Sequence, residues 1–270
     1  MPALRILVTG ASGFLAPFAV AALQARGNIV VTTSRRAGDA QVDLTASGMV
    51  AAVAEALAPD FVLHLAAIST IAECERHPDA ARRVNVRLPE QLAERFADRL
   101  LHASTDLVFD GRAAPFHEAS ATGPLSVYGC TKAEGEERVL QNGGRIARLP
   151  LLFGRDASGR GATASLRKAL GERRPVPLFT NEYRTPLHAA DAAQGLAELI
   201  ELRAGPGIVH LPGPERCSRW DLGRRWCALH QRDEALLQAA ECQDSLRPRD
   251  VSLAGSWRAS RSLDAMLADA

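Results

Sequence analysis

The chain has 270 residues, 47% apolar and 23% charged, with a formal net charge of +1. That length supports a sizeable core in one large domain or somewhat more. The balanced charge gives no electrostatic reason for a nucleic-acid or membrane-surface partner, and no apolar run reaches the roughly 18 residues that span a bilayer.

The N-terminal apolar run ends in turn-forming residues, so it reads as a first strand, Arg5–Thr9, and not as a secretory signal. A helix is expected over Phe14–Arg26, with Pro17 tolerated in its first turn. There follow a strand at Ile29–Thr33, a helix at Met49–Leu57 closed by Pro59, and a strand at Phe61–Leu65. Helical periodicity spans Ala80–Ala97, then a strand Leu100–Ala103, a helix carrying Tyr128 to about Leu140, and a strand Arg145–Leu149. Strands alternating with helices imply a parallel sheet covered on both faces, an α/β fold of the doubly wound Rossmann type. After about residue 150 the alternation breaks down. Gly, Pro and Arg become frequent between Phe153 and Arg184, and only a helix at Asp191–Leu202, a strand at Ile208–Leu211 and a helix at Trp220–His230 stand out. Residues 1–150 are expected to form a nucleotide-binding domain. Residues 151–270 are expected to form a smaller, interleaved substrate lobe, of which about 187–212 returns to the first domain. The five cysteines, Cys74, Cys130, Cys217, Cys227 and Cys242, lack metal-ligand spacing. No metal site is expected, and reduced thiols in a cytoplasm are the simplest account.

The first strand runs directly into Gly10-Ala11-Ser12-Gly13-Phe14-Leu15-Ala16. A pyrophosphate needs close backbone approach, which glycine permits, and a helix N-terminus supplies free N–H groups and partial positive charge. A glycine turn can also be purely structural; its position in the first strand-to-helix turn of a βαβ pattern favours a dinucleotide. At the end of the second strand, a carboxylate would select a free ribose 2′-hydroxyl. Here Ser34-Arg35-Arg36 stands instead, a group suited to a 2′-phosphate, so NADP(H) is preferred and NAD(H) remains compatible. The alternative is a solvated basic turn. Asp43 could accept from an adenine amino group or cap the next segment.

Tyr128 and Lys132 are four residues apart, on one side of a helix. A phenol titrates near 10, and a nearby cation favours its ionised form, so the pair makes sense as a general acid and its tuner. The spacing alone is common on helix surfaces. It gains meaning from Ser104-Thr105-Asp106, which follows a strand at the C-terminal edge of the sheet, where ligands bind in such folds.

These segments, with His64-Leu65-Ala66-Ala67, Val84-Asn85-Val86, Leu107-Val108-Phe109-Asp110-Gly111, Arg184-Thr185-Pro186-Leu187 and Arg247-Pro248-Arg249-Asp250-Val251-Ser252-Leu253, resemble an extended short-chain dehydrogenase/reductase of the dTDP-4-dehydrorhamnose reductase group. The resemblance runs from residue 9 to residue 253. It implies that Lys132 binds the nicotinamide ribose and lowers the pKa of Tyr128, that Tyr128 protonates a carbonyl oxygen as hydride arrives, and that Thr105 hydrogen-bonds that oxygen. Leu44, Leu65, Ala66, Ala67 and Ser104 would line the cofactor's path, Asn85 would hold the active-site helix, and Asp106 and Arg184 would meet a nucleotide-sugar substrate. Departures from the group's pattern are Ala16, His64, Asn181 and Ala254. His64 also reads as a partly buried strand residue. Two other functions compete: a nucleotide-sugar epimerase or dehydratase with retained NAD, and a cofactor-binding regulatory subunit of another enzyme. The sequence leaves a homodimer open.

Overall fold

The computed structural model describes residues 2–155, 159–202, 205 and 207–270. The first half alternates as β1 (Arg5–Thr9), α1 (Ala16–Ala25), β2 (Ile29–Ser34), the short β3 (Ala40–Gln41), α2 (Met49–Leu57) and β4 (Phe61–His64). The periodic stretch read over residues 80–97 is broken into parts and begins earlier: α3 (Ile71–Arg76), α4 (Pro78–Arg82), a π turn at Arg83–Arg87 and α5 (Leu88–Phe96). Pro78 opens α4 and Pro89 lies in the first turn of α5, where a missing N–H costs nothing. There follow β5 (Leu100–Thr105), α6 (Val127–Gln141) and β6 (Arg145–Leu149). The second half contributes β7 (Leu152–Phe153), α7 (Ala164–Gly171), β8 (Val176–Phe179), β9 (Tyr183–Arg184), β10 (Leu187–His188), α8 (Ala189–Glu201) and β11 (Ile208–His210). It ends with β12 (Cys217–Ser218), α9 (Arg219–Leu229), β13 (Leu237–Ala240) and α10 (Leu263–Ala268).

Seven strands form one sheet in the order β11-β6-β5-β4-β1-β2-β3, and every neighbouring pair is parallel. The chain winds from β1 through α1 to β2 and β3, then crosses through α2 to β4 on the other side of β1. The order therefore reverses between β1 and β4, which opens a crevice at their C-terminal ends. Side chains alternate across the sheet. Ile6 and Val8 face Ala19 and Leu23 of α1 and Ala193, Leu196 and Ile200 of α8. Leu7 faces the other way, into a layer with Val50 and Val53 of α2, Leu92 and Phe96 of α5, and Val139 of α6.

The remaining strands form two-stranded pairs: β7 with β10, β9 with β12, and β8 with β13. Leu166, Val176, Leu222, Trp226 and Met266 of the second half share one buried cluster with Ile6 and Val8. Its interior is thus continuous with that of the sheet. Among the described residues, no helix is long and apolar enough to cross a membrane.

Candidate active site

The crevice holds a cleft of about 350 Å³ that runs from Arg35 and Asp43 to Tyr128, Lys132 and Pro150. Gly10 ends β1 with φ +77°, and a Cβ there would stand 2.7 Å from the Ala66 nitrogen. Only glycine lets the turn lie this close to the end of β4. Gly13 N donates to Gly10 O at 2.7 Å, which tightens the turn, and α1 begins at Ala16 with no side-chain cap. Its first N–H groups are therefore left for an anion. Backbone pressed against backbone, with an uncapped helix start behind it, fits a dinucleotide pyrophosphate.

Every residue expected on the cofactor's path lines this cleft except Arg36: Gly10, Ser12, Gly13, Phe14, Leu15, Ser34, Arg35, Asp43, Leu44, Leu65, Ala66, Ala67, Ser104, Tyr128 and Lys132. Arg36 is exposed on the turn outside. The Ser34 hydroxyl donates to Ala37 O and accepts from Ala37 N, at 2.8 and 3.0 Å, so it shapes the basic turn. Asp43 accepts from the Thr45 hydroxyl and amide at 2.7 and 3.0 Å; these bonds hold its carboxyl below the usual range. It caps its own turn and lines the cleft at once. Sequence reasoning missed Thr33, Val42, Ile68, Leu149, Pro150 and Leu152 of the lining. The available signal was their place at or just beyond strand ends.

At the other end α6 carries the phenol and the ammonium. Ser126 caps the helix by accepting from Gly129 N at 3.2 Å. A Cβ on Gly129 would lie 2.3 Å from Leu107 O, so glycine lets the helix rest directly on the turn after β5. Tyr128 is thereby brought beside Thr105. Burial pushes its phenol well above the usual range, a hydrogen bond with Thr105 pulls it back, and Asp106 raises it further. Asn85, in the π turn, clamps the loop after β4: Oδ1 accepts from Ile68 N at 3.0 Å, and Nδ2 donates to Ile68 O at 3.0 Å and to Thr131 Oγ1 at 3.2 Å.

Lys132 is buried and turns toward β5. Its Nζ lies 2.8 Å from His102 Nε2 and donates to Ala103 O at 2.7 Å. Burial lowers it to about 7 against the raising pull of Glu136. Lys132 is not among the groups that shift the Tyr128 phenol. The phenol is held up by burial, and two of the lysine's three donors are taken by the strand.

Asp106 and Arg184 are both buried and lie outside the cleft lining. They face each other, with Arg184 Nε 3.4 Å from Asp106 Oδ2 and Nη2 3.6 Å from Glu182 Oε1. Thr105 Oγ1 donates to Asp106 Oδ1 at 3.2 Å. Burial raises Asp106 to about 6, with Arg184 opposing. This pair joins β9 to the turn after β5. Among the described residues, no group of His, Cys, Asp and Glu is placed to hold a metal ion.

The buried histidines are expected to make the fold acid-sensitive. Burial, and then the charge of Lys132, push His64 down to about 3 and His102 well below its ordinary value. The unfolded chain binds those protons near pH 6.5, so this stability is fully present above 6.5 and is lost as pH falls toward 3. His64 carries about 1.4 kcal/mol per pH unit in that window, and His102 acts in the same direction. Asp106 acts oppositely between pH 6 and 4, because the folded chain keeps a proton there that the unfolded chain releases, and it offsets one histidine. The thermal midpoint is expected to fall between pH 6.5 and 4.5, and His64→Gln to flatten the dependence by one proton's slope. An unchanged slope in that variant would reject the account.

A family model described as the RmlD substrate binding domain matches residues 4–256. The chain belongs to the RmlD family. One relative within reach of it, the dTDP-4-keto-6-deoxy-D-glucose reductase of Streptomyces niveus, is 31% identical over 94% of this chain and 90% of its own length. Methionine adenosyltransferase 2 subunit beta of Bos taurus is 31% identical over 85% of the chain and 72% of its own. Among solved structures, dTDP-4-dehydrorhamnose reductase from Bacillus anthracis, in complex with NADP, superposes with a TM-score of 0.88 at 20% identity, covering 98% of this chain and 97% of that one. The RmlD family and its α/β fold are those that the glycine turn, the Ser-Thr-Asp segment and the Tyr-Lys pair resembled in sequence.

Proposed function

We propose that this chain is an NADPH-dependent reductase of the extended short-chain dehydrogenase/reductase type, acting on the 4-keto group of a deoxysugar nucleotide. One observation carries the reading: Thr105, Tyr128 and Lys132 reach the wall of the same cleft that begins at Gly10 and Arg35. A cleft that only held a dinucleotide would have no use for a buried phenol at the nicotinamide end.

The glycine turn and the start of α1 would hold the pyrophosphate, Arg35 the 2′-phosphate, and Lys132 the ribose nearest the reacting carbon. When bound, NADPH supplies the hydride. Tyr128 gives its phenolic proton to the substrate oxygen, Thr105 donates a hydrogen bond to the same oxygen, and Lys132 offsets the negative charge left on the phenol. Leu149, Pro150 and Leu152 close the apolar side of the cleft and help exclude water. The substrate's nucleotide would lie toward the lobe of residues 151–270, past Asp106 and Arg184.

The test is NADPH oxidation across a panel of 4-keto nucleotide sugars, together with binding of NADPH and NADH. Turnover with a member of the panel is expected. Arg35→Ala is expected to weaken NADPH by about 10- to 100-fold, the size of a lost charge-assisted phosphate contact, with NADH little changed. Equal loss for both cofactors would remove the phosphate argument. The likeness to methionine adenosyltransferase 2 subunit beta supports a second reading, a cofactor-binding subunit of another enzyme. NADPH binding with no turnover on any panel member would favour it.

A further inference from the structure

Three polar side chains lie abreast within a largely apolar sheet. Thr9 of β1 is in register with His64 of β4, and His64 with His102 of β5. All three are fully buried. Thr9 Oγ1 and His64 Nδ1 share a hydrogen bond of 2.6 Å. The two imidazoles stack with centroids 5.0 Å apart and planes 23° apart, and His102 Nε2 meets Lys132 Nζ at 2.8 Å. A row of polar groups thus leads from the end of β1 to the ammonium on the cleft wall.

This row is costly to bury. His64 Nε2 and His102 Nδ1 have no hydrogen-bonding partner among the described residues, and an unpartnered buried polar group weakens a fold. Leucines at these positions would fill the sheet without that penalty, as Leu63 and Leu101 do beside them. A penalty of this kind next to a site points to a role in the site.

Donor counting identifies the role. An ammonium has three N–H donors and no acceptor, so His102 must present a bare Nε2 and carry its ring proton on Nδ1. Lys132 gives its second donor to Ala103 O at 2.7 Å, which leaves one N–H for the cleft that it lines. We propose that His102, backed by His64 and Thr9, is a positioning residue for Lys132: its Nε2 accepts from the ammonium and fixes where the remaining N–H points. The catalytic consequence rests on the reductase reading; the contact itself does not.

Few charges compete for the ammonium. Glu136, one turn along α6, raises its affinity for protons but is tied to Arg148 of β6. Asp106, at the turn after β5, is paired with Arg184 of β9. Glu75 of α3 accepts from Val127 N at the start of α6, and Glu90 of α5 pairs with Arg138. Burial disfavours a charge on either histidine of β4 and β5. Among the described residues, His102 is thus the side-chain acceptor in contact with that ammonium.

The chain contains two lysines, Lys132 and Lys168, and Lys168 is exposed on α7. Full-length protein labelled with 13C at lysine Cε therefore yields one resonance for the buried group and one reference in the same sample. His102→Met is expected to lower the Lys132 midpoint by about one to two pH units, the worth of one hydrogen bond to a charged group. His102→Gln, whose amide oxygen can take the place of Nε2, is expected to restore it. An unmoved midpoint in a folded His102→Met protein overturns the proposal. So does a Gln variant shifted as far as the Met variant. The wild-type imidazole 15N spectrum decides independently of either variant: the ring in contact with Lys132 is expected to be the neutral Nδ1–H tautomer down to pH 5. A protonated Nε2 at pH 6 overturns the proposal. Absence of NADPH turnover would count against the reductase reading alone, since the lysine and imidazole signals are read without cofactor.

Discussion

Tyr128→Phe is expected to slow single-turnover NADPH oxidation by about 10²- to 10⁴-fold, the usual worth of a positioned general acid, while leaving the Kd for NADPH nearly unchanged. The two rings have the same shape, and Tyr128 is packed among Cys74, Ala81, Ile68 and Ile71, so the substitution removes a hydroxyl without opening a cavity. Burial keeps the phenol protonated through neutral pH, so the acid form is always present. Giving up that proton is what burial opposes. The phenolate must be met by a cation, and Lys132, lowered to about 7 by its own burial, is the cation that the cleft supplies. The sign follows: above pH 7 the lysine loses its charge, and wild-type reduction is expected to fall as pH rises through that value. Stopped-flow traces of NADPH fluorescence across pH 6–9 read both effects. A Phe variant within threefold of wild type would end the general-acid role.

The parts of this site that local chemistry dictates were legible in the chain. A strand running into Gly10-Ala11-Ser12-Gly13 and then a helix marks a tight turn, and fifteen of the sixteen residues expected on the cofactor's path line one cleft. Tyr128 and Lys132 are four apart on α6, so their shared side follows from helix periodicity. What escaped were contacts between residues distant in sequence. Lys132 finds His102 thirty positions earlier, and that pairing depends on the register of β5 beneath α6. Arg36 was grouped with Arg35 on charge alone, whereas the turn held by Ser34 aims only Arg35 into the cleft. The periodicity over residues 80–97 concealed a π turn at Arg83–Arg87; one extra residue per turn shifts the phase of a pattern without erasing it. In the second half, β9, β10 and β12 have two residues each, too short for any alternation to register.

The largest effect on stability is expected from a residue outside the cleft. Glu136 of α6 faces Arg148 of β6, with Arg148 Nε 3.0 Å from Oε1 and Nη2 2.6 Å from Oε2, and both side chains are 3% exposed. Arg148 Nη1 lies 3.2 Å from His210 Nε2, and its guanidinium stands 5.0 Å from the Phe109 ring centroid. Glu136→Ala leaves that guanidinium buried without a counter-charge, which costs about 3–5 kcal/mol. At roughly 2–4 °C per kcal/mol for a chain of this size, the thermal midpoint is expected to drop by about 10 °C or more. Removing both charges in a Glu136→Leu, Arg148→Met double variant is expected to recover much of that loss, because the penalty lies in the unpaired charge and not in the missing attraction. A midpoint lowered by only a degree or two in Glu136→Ala would mean that His210 and the Phe109 face already suffice for Arg148. The same carboxylate raises the proton affinity of Lys132 one turn away. Glu136→Gln, which keeps the shape, should therefore move the alkaline limb of turnover to lower pH as well as lower stability. That coupling places a structural ion pair of the sheet within reach of the cleft's one lysine.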